Sequence, residues 1–157
     1  MLIKQHALLA TLSIAVLVGY SCTRDVTLKI NDEIPPAFTF DRNYSEVDRL
    51  LLFVVEEIAS DNANVPYLEQ AYEKNKTIWK IKPISSEDGV FAKLSPITYG
   101  NVPVGFIQEI PEDGTPAALE EGKVYEAGGP YVMMNRARVR FIVRDGRVVQ
   151  VATPEPH

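Results

Sequence analysis

Histidine and cysteine are nearly missing from this chain: two His, at positions 6 and 157, and one Cys, at position 22, among 157 residues. One Cys cannot close an intrachain disulfide or build a cysteine zinc cluster. The body of the chain has no His to act as general base, proton shuttle or metal ligand, and no His pair of the zinc hydrolase type. Basic residues are also short, 16 against 21 Asp and Glu, for a net charge of −5. The cationic surplus that neutralises phosphates is therefore missing, which argues against nucleic acid. Gly128-Gly129-Pro130 lacks the spacing and the Lys of a phosphate-cradling loop. Ser and Cys nucleophiles have no base beside them except His157 at the terminus. The chain reads as a non-enzyme without cofactor or metal.

What is present is an ordinary globular composition, 46% hydrophobic and 24% charged. The amino-terminal segment stands apart. After Lys4, an apolar stretch runs from Ala7 to Val18 and ends in Gly19-Tyr20-Ser21-Cys22, the layout of a secretory signal peptide. Twelve residues at 1.5 Å each cover roughly 18 Å of helix, well short of the roughly 30 Å hydrocarbon core. Export is the better reading than a transmembrane span. Residues 1–21 are assigned to this leader, 22–25 to a short tether, 26–152 to one domain and 153–157 to a frayed tail. Residues 22–157 carry a net charge of −6.

Val18-Gly19-Tyr20-Ser21-Cys22 resembles the lipobox of bacterial lipoproteins. The resemblance implies that the Cys22 thiol receives a diacylglycerol, that cleavage falls just before it, and that the new amino group is acylated, with palmitate-type chains. Ordinary signal peptidase cleavage, for which Gly19 and Ser21 satisfy the small-x-small rule, is the alternative. Two or three acyl chains hold a protein on a membrane where one does not.

Within the domain, six of the eleven Pro and most of the Gly fall between Pro83 and Pro130, punctuation that suits short strands. Strands are predicted at residues 26–30, 37–40, 50–57, 77–81, 106–110, 123–126, 136–144 and 147–151. Asp145-Gly146 between the last two is the signature of a two-residue hairpin turn. Residues 46–58 also carry apolar side chains at helical spacing, with Ser45 and Asp48 as a capping box. The unbroken apolar run of residues 50–55, with Phe53 and two Val, favours a central strand covered on both faces. Asn64 to Lys74 reads as a short helix inserted between strands.

Leu119-Glu120-Glu121-Gly122-Lys123-Val124-Tyr125 is similar to the turn entering the penultimate strand of fibronectin type III-like domains. The resemblance implies that Leu119 packs inward, Gly122 lets the chain turn, and the Tyr125 hydroxyl bonds back to the turn backbone. The domain also resembles small uncharacterised lipoproteins of bacteria, through Phe38 and Phe40, a Trp strand, and Tyr99, Gly100, Pro103, Gly105 and Phe106. The expected fold is a single all-β sandwich of immunoglobulin or fibronectin type III type, with a short helical insertion, behind a signal peptide.

Candidate contact residues are few. Arg136, Arg138 and Arg140 alternate with Ala137, Val139 and Phe141, so a strand puts the guanidinium groups on one face. That row suits an anionic glycan, headgroup or acidic partner, or is a solvated face with acidic cross-strand neighbours, the favoured reading. Tyr99 and Phe106 are a candidate carbohydrate-stacking pair, with core packing the alternative placed ahead. Tyr131, Met133 and Met134 read as core before an adaptable patch. Glu87-Asp88-Gly89 and Glu112-Asp113-Gly114 read as turns, with Gly at positive φ, and lack the alternating ligands of a calcium loop. The expectation is an exported lipoprotein, anchored to a bacterial membrane through Cys22. Its role is that of a non-catalytic binding or structural module with an envelope protein or glycan as partner. The alternative is a small-ligand or carbohydrate-binding exported protein.

Overall fold

The computed structural model describes residues 26–41, 49–64, 72–90, 94–130 and 136–152. The leader, Cys22, the tail and the segment with Met133 and Met134 lie outside them, as does most of the predicted helical insertion, of which only a 3₁₀ turn, Tyr72–Lys74, is described.

Among the described residues nine strands follow one another: β1 Leu28–Ile30, β2 Ala37–Phe40, β3 Phe53–Glu57, β4 Lys76–Pro83, β5 Ile97–Thr98, β6 Phe106–Ile110, β7 Val124–Pro130, β8 Arg136–Arg144 and β9 Arg147–Val151. They form two antiparallel sheets, β1-β2-β5 and β6-β4-β3-β7-β8-β9. Alternation decides which side chains meet between them. Leu28, Phe38 and Phe40 from the small sheet bury against Phe53, Val55, Trp79, Ile81, Ala127, Val139 and Phe141 from the large one, the arrangement of a β-sandwich. Phe53 is the aromatic hub, 5.1 Å from Phe38 and 6.1 Å from Trp79 between ring centroids.

Residues 50–57 are extended where described as strand, so the strand reading holds against the helical one. Phe53 and Val55 are fully buried, Val54 only half-buried, and Leu51 exposed. The strand is central in its sheet but is not covered equally on both faces, a correction to the expectation from its unbroken apolar run. The Asp145-Gly146 turn has positive φ at both positions, 53° and 69°, the primed geometry that matches strand twist. Tyr99 and Phe106, offered as a sugar-stacking pair, are both buried in the core. Tyr99 donates its hydroxyl to the Ala117 carbonyl at 2.6 Å, and its ring meets Trp79 edge-on at 5.4 Å. The Trp79 indole donates to Gln108 Oε1 at 2.9 Å, and the Gln108 amide holds the carbonyls of Pro111 and Gly114. One uncharged amide thus ties the core to the loop after β6.

The turn into β7 has the geometry the Tyr pattern implies. The Glu120 N–H donates to the Tyr125 hydroxyl at 2.8 Å, Leu119 packs against the core, and Gly122 turns the chain at φ 78°. Burial pushes the Tyr125 phenol above its ordinary pKa, so the group is a neutral acceptor at physiological pH. Tyr125→Phe keeps the ring stacked on Phe141 but leaves the Glu120 N–H without its partner. The expected loss is about 1–3 kcal/mol in chemical denaturation. An unchanged midpoint and slope would show that water replaces the hydroxyl at no cost.

Candidate functional site

The three-arginine row does not form one surface. In register, Glu126 of β7 faces Arg140 of β8, and Gly128 faces Arg138. One Glu126 oxygen accepts from Arg138 Nη1 at 2.8 Å, the other from Arg140 Nη2 at 3.0 Å. Arg140 turns its remaining Nη to the Ala63 carbonyl at 2.9 Å. Arg140 is 1% exposed and Glu126 5%, so the reading of a solvated face with acidic neighbours is half right. The acidic neighbour is there and the solvent is not, and the chain at Ala63 comes up to Arg140 on this face of the large sheet. Arg138 is mostly covered, and the Arg136 side chain lies outside what the structure describes. Both carboxylate oxygens and the Arg140 guanidinium are engaged within the protein, so the cluster holds two elements together and offers little to a ligand.

The open features lie elsewhere, at the end of the sandwich where β1, β3, β6 and β8 begin and β2, β4 and β7 finish. We call this the proximal end. It has a shallow depression of about 220 Å³ lined by Arg49, Leu50, Leu51, Pro83, Ile84, Ser85 and Ser86. Two glycines pack against the segment that lines it. The Leu50 N–H donates to the Gly89 carbonyl at 2.8 Å, and Arg49 bridges to Val90. A Cβ on Gly89 would strike the Leu50 carbonyl oxygen, and one on Gly129 the Leu52 carbonyl oxygen. Residues 50–52 are thus clasped between two bare backbones, which is why Gly is needed at both positions. Gly114 does take positive φ, at 80°. Glu87-Asp88-Gly89 does lie in a turn, residues 86–89, but Gly89 is not at positive φ; it is needed there for close approach, a correction to that part of the reading.

Arg49 leans over the depression. Its Nη2 contacts Glu87 Oε1 at 3.2 Å, while its Nε is buried and finds no acceptor. Asp88 is held by the Ser85 N–H and hydroxyl, at 3.0 and 2.7 Å. Beside this polar rim stand three aliphatic side chains. Leu51 is 56% exposed, Ile84 66% and Val104 fully exposed. Ile84 donates its N–H to the Gly105 carbonyl at 2.8 Å, which brings Val104 alongside. Sequence reasoning missed this cluster, because Leu51 sits inside an apolar run that reads as core, and Ile84 and Val104 are single aliphatics in loops.

No group of three or more metal-ligating side chains occurs among the described residues. Among them, too, no helix is long and apolar enough to cross a membrane. No family model, curated protein or solved structure matches the chain.

Proposed function

We propose that the protein is a lipid-anchored module of a bacterial cell envelope, held by an acylated Cys22 and acting by binding or as a structural part rather than by catalysis. The observation that carries this is the position of the chain's one Cys, directly after an apolar leader too short to span a bilayer. The non-catalytic reading rests on composition, since residues 22–157 contain no His but His157.

The domain is of fibronectin type III-like type in this reading. Two features of the fold support it. The sheet order places β1, β2 and β5 together and runs β3-β7-β8 in the other sheet, as strands A, B, E and C, F, G are divided in immunoglobulin-like sandwiches. The Tyr125 hydroxyl bond falls at the start of β7, where a tyrosine corner sits in that family. On this alignment β6 and β9 are additions at the two edges of the large sheet, and β4 takes the place beside strand C. Such domains present loops from a rigid frame, so recognition is assigned to the ends rather than to the sheet faces.

Cys22→Ser tests the anchor. The expected outcome is transfer of the protein from the membrane fraction to the soluble fraction, with loss of the acyl mass on the mature amino-terminal peptide. A wild-type protein that carries a free Cys22 thiol and partitions into buffer would end the lipoprotein reading.

A further inference from the structure

The proximal end is also where the chain arrives from Cys22. The Asp41 N–H donates to the Thr27 carbonyl and Leu28 pairs with Phe40. The start of β1 therefore lies at the finish of β2, where Phe40 meets Phe53 at the start of β3, 6.3 Å between ring centroids, while Asp32 beyond β1 accepts from Val148 at the opposite end. Val26 is already buried. Four links separate it from Cys22, a reach of roughly 14 Å when fully extended. The polar layer of one leaflet takes up roughly 5–8 Å of that, so an anchored domain has little room to stand away from the lipid.

We propose that the proximal end is a membrane-contact surface, with Leu51, Ile84 and Val104 seated in the interfacial layer of the bilayer that holds Cys22. The proposal rests on the lipoprotein reading and gives the anchored domain an orientation. Leu51 and Ile84 line one depression, and Val104 precedes Gly105, whose carbonyl accepts from the Ile84 N–H, so the three gather at one end of the sandwich rather than standing as scattered single residues. Of the other exposed aliphatics among the described residues, Ile34 lies in the turn between β1 and β2, at the far end, and Val149 on the edge strand β9, while Ile107, near the start of β6, borders the patch at the sheet edge. Aliphatic side chains presented together at an interface add apolar burial to that of the acyl chains.

Charge favours this end over a flank. Among the described residues at this end, Glu87 contacts Arg49, Asp41 pairs with Lys29, and Asp88 is bonded within its own turn, so each of these carboxylates has a partner. The face of the large sheet near β6 instead carries Lys80 and Lys82, both paired to Glu109, groups that resist dehydration. With β8 nine residues long, the far end stands roughly 30 Å from the bilayer surface. That leaves the turns around Gly122 and Asp145 facing outward.

The test uses the full lipidated chain in phosphatidylcholine vesicles, with an environment-sensitive dye on one introduced thiol: Ile84→Cys, Val104→Cys, or, as far-end reference, Arg147→Cys. Acylation consumes the Cys22 thiol, so each variant takes one dye, and all three positions are exposed, where substitution disturbs folding least. The dyes at 84 and 104 are expected to shift to the blue on reconstitution. They should be quenched several-fold more by nitroxide-bearing lipid than the dye at 147, and less by aqueous iodide. Identical aqueous behaviour at all three positions in vesicle-bound protein would overturn the orientation and leave the anchor intact. A chain that takes two dyes and stays in buffer would overturn the lipoprotein reading itself. Shielding of 84 and 104 in native envelopes but not in pure lipid would assign the surface to a protein partner and also overturn the proposal.

Discussion

Glu126→Leu is expected to destabilise the domain by about 3–5 kcal/mol, because it leaves the Arg140 guanidinium buried without its counter-charge. Against a total stability of roughly 5–15 kcal/mol, that approaches unfolding. The cost comes from desolvation: a cation sealed from water loses hydration that, among the described residues, Glu126 and the Ala63 carbonyl replace. Glu126→Gln should fall between wild type and Leu, since the amide keeps an acceptor but not the charge. Replacing the whole cluster, Glu126→Leu with Arg138→Met and Arg140→Met, should recover most of the loss, because no ion is then left unpaired. Added salt should change the wild-type contribution little, since buried pairs are poorly screened. Denaturation curves decide the matter. A Glu126→Leu midpoint within about 1 kcal/mol of wild type would mean that water reaches Arg140 once the carboxylate is gone.

The buried cluster also marks where the sequence stops being legible. Alternation along residues 136–144 places Arg138 and Arg140 on one face and Ala137, Val139 and Phe141 on the other, as observed. Whether that face meets water depends on the chain at Ala63, seventy-odd positions away, and no local pattern encodes its path. The same limit explains β5. Ile97–Thr98 is two residues long, too short to show a period, and exists because β2 offers it a free edge. The extension of β7 through Gly128 and Gly129 is similar. A Gly-Gly-Pro sequence reads as a strand end, yet these glycines pair with Arg138 and Ala137. Signals resting on local chemistry carried over well. Asp145-Gly146 needs only its own backbone to form a primed turn, and the Leu119 to Tyr125 spacing closes its hydrogen bond within six residues. The proximal aliphatic cluster was invisible for the opposite reason: its members, Leu51, Ile84 and Val104, are far apart in the chain, and only the junction of three loops brings them together.

Gly129→Ala is expected to cost about 3 kcal/mol or more, the upper end of the overpacking range, although it adds a single methyl group. The added Cβ would overlap the Leu52 carbonyl oxygen and crowd the Leu50 side chain. A flexible side chain would swing aside, but a carbonyl oxygen moves only if its backbone moves. That backbone is pinned on its other side, where Leu50 donates to Gly89 and Gly89 itself has no room to retreat from the Leu50 carbonyl. Displacing residues 50–52 also pulls on Phe53, the aromatic hub of the core. Gly122→Ala is the control, since a Cβ there meets nothing within 4 Å. Its cost is the positive φ of 78° alone, about 1–2 kcal/mol. The two variants carry the same chemical change, so the difference between them isolates steric overlap from backbone preference. Thermal or denaturant unfolding should rank Gly129→Ala well below Gly122→Ala. Equal stability of the two, or the reverse order, would show that the strand pair at the proximal end parts readily, and that residues 50–52 are not the fixed platform on which Leu51 is displayed.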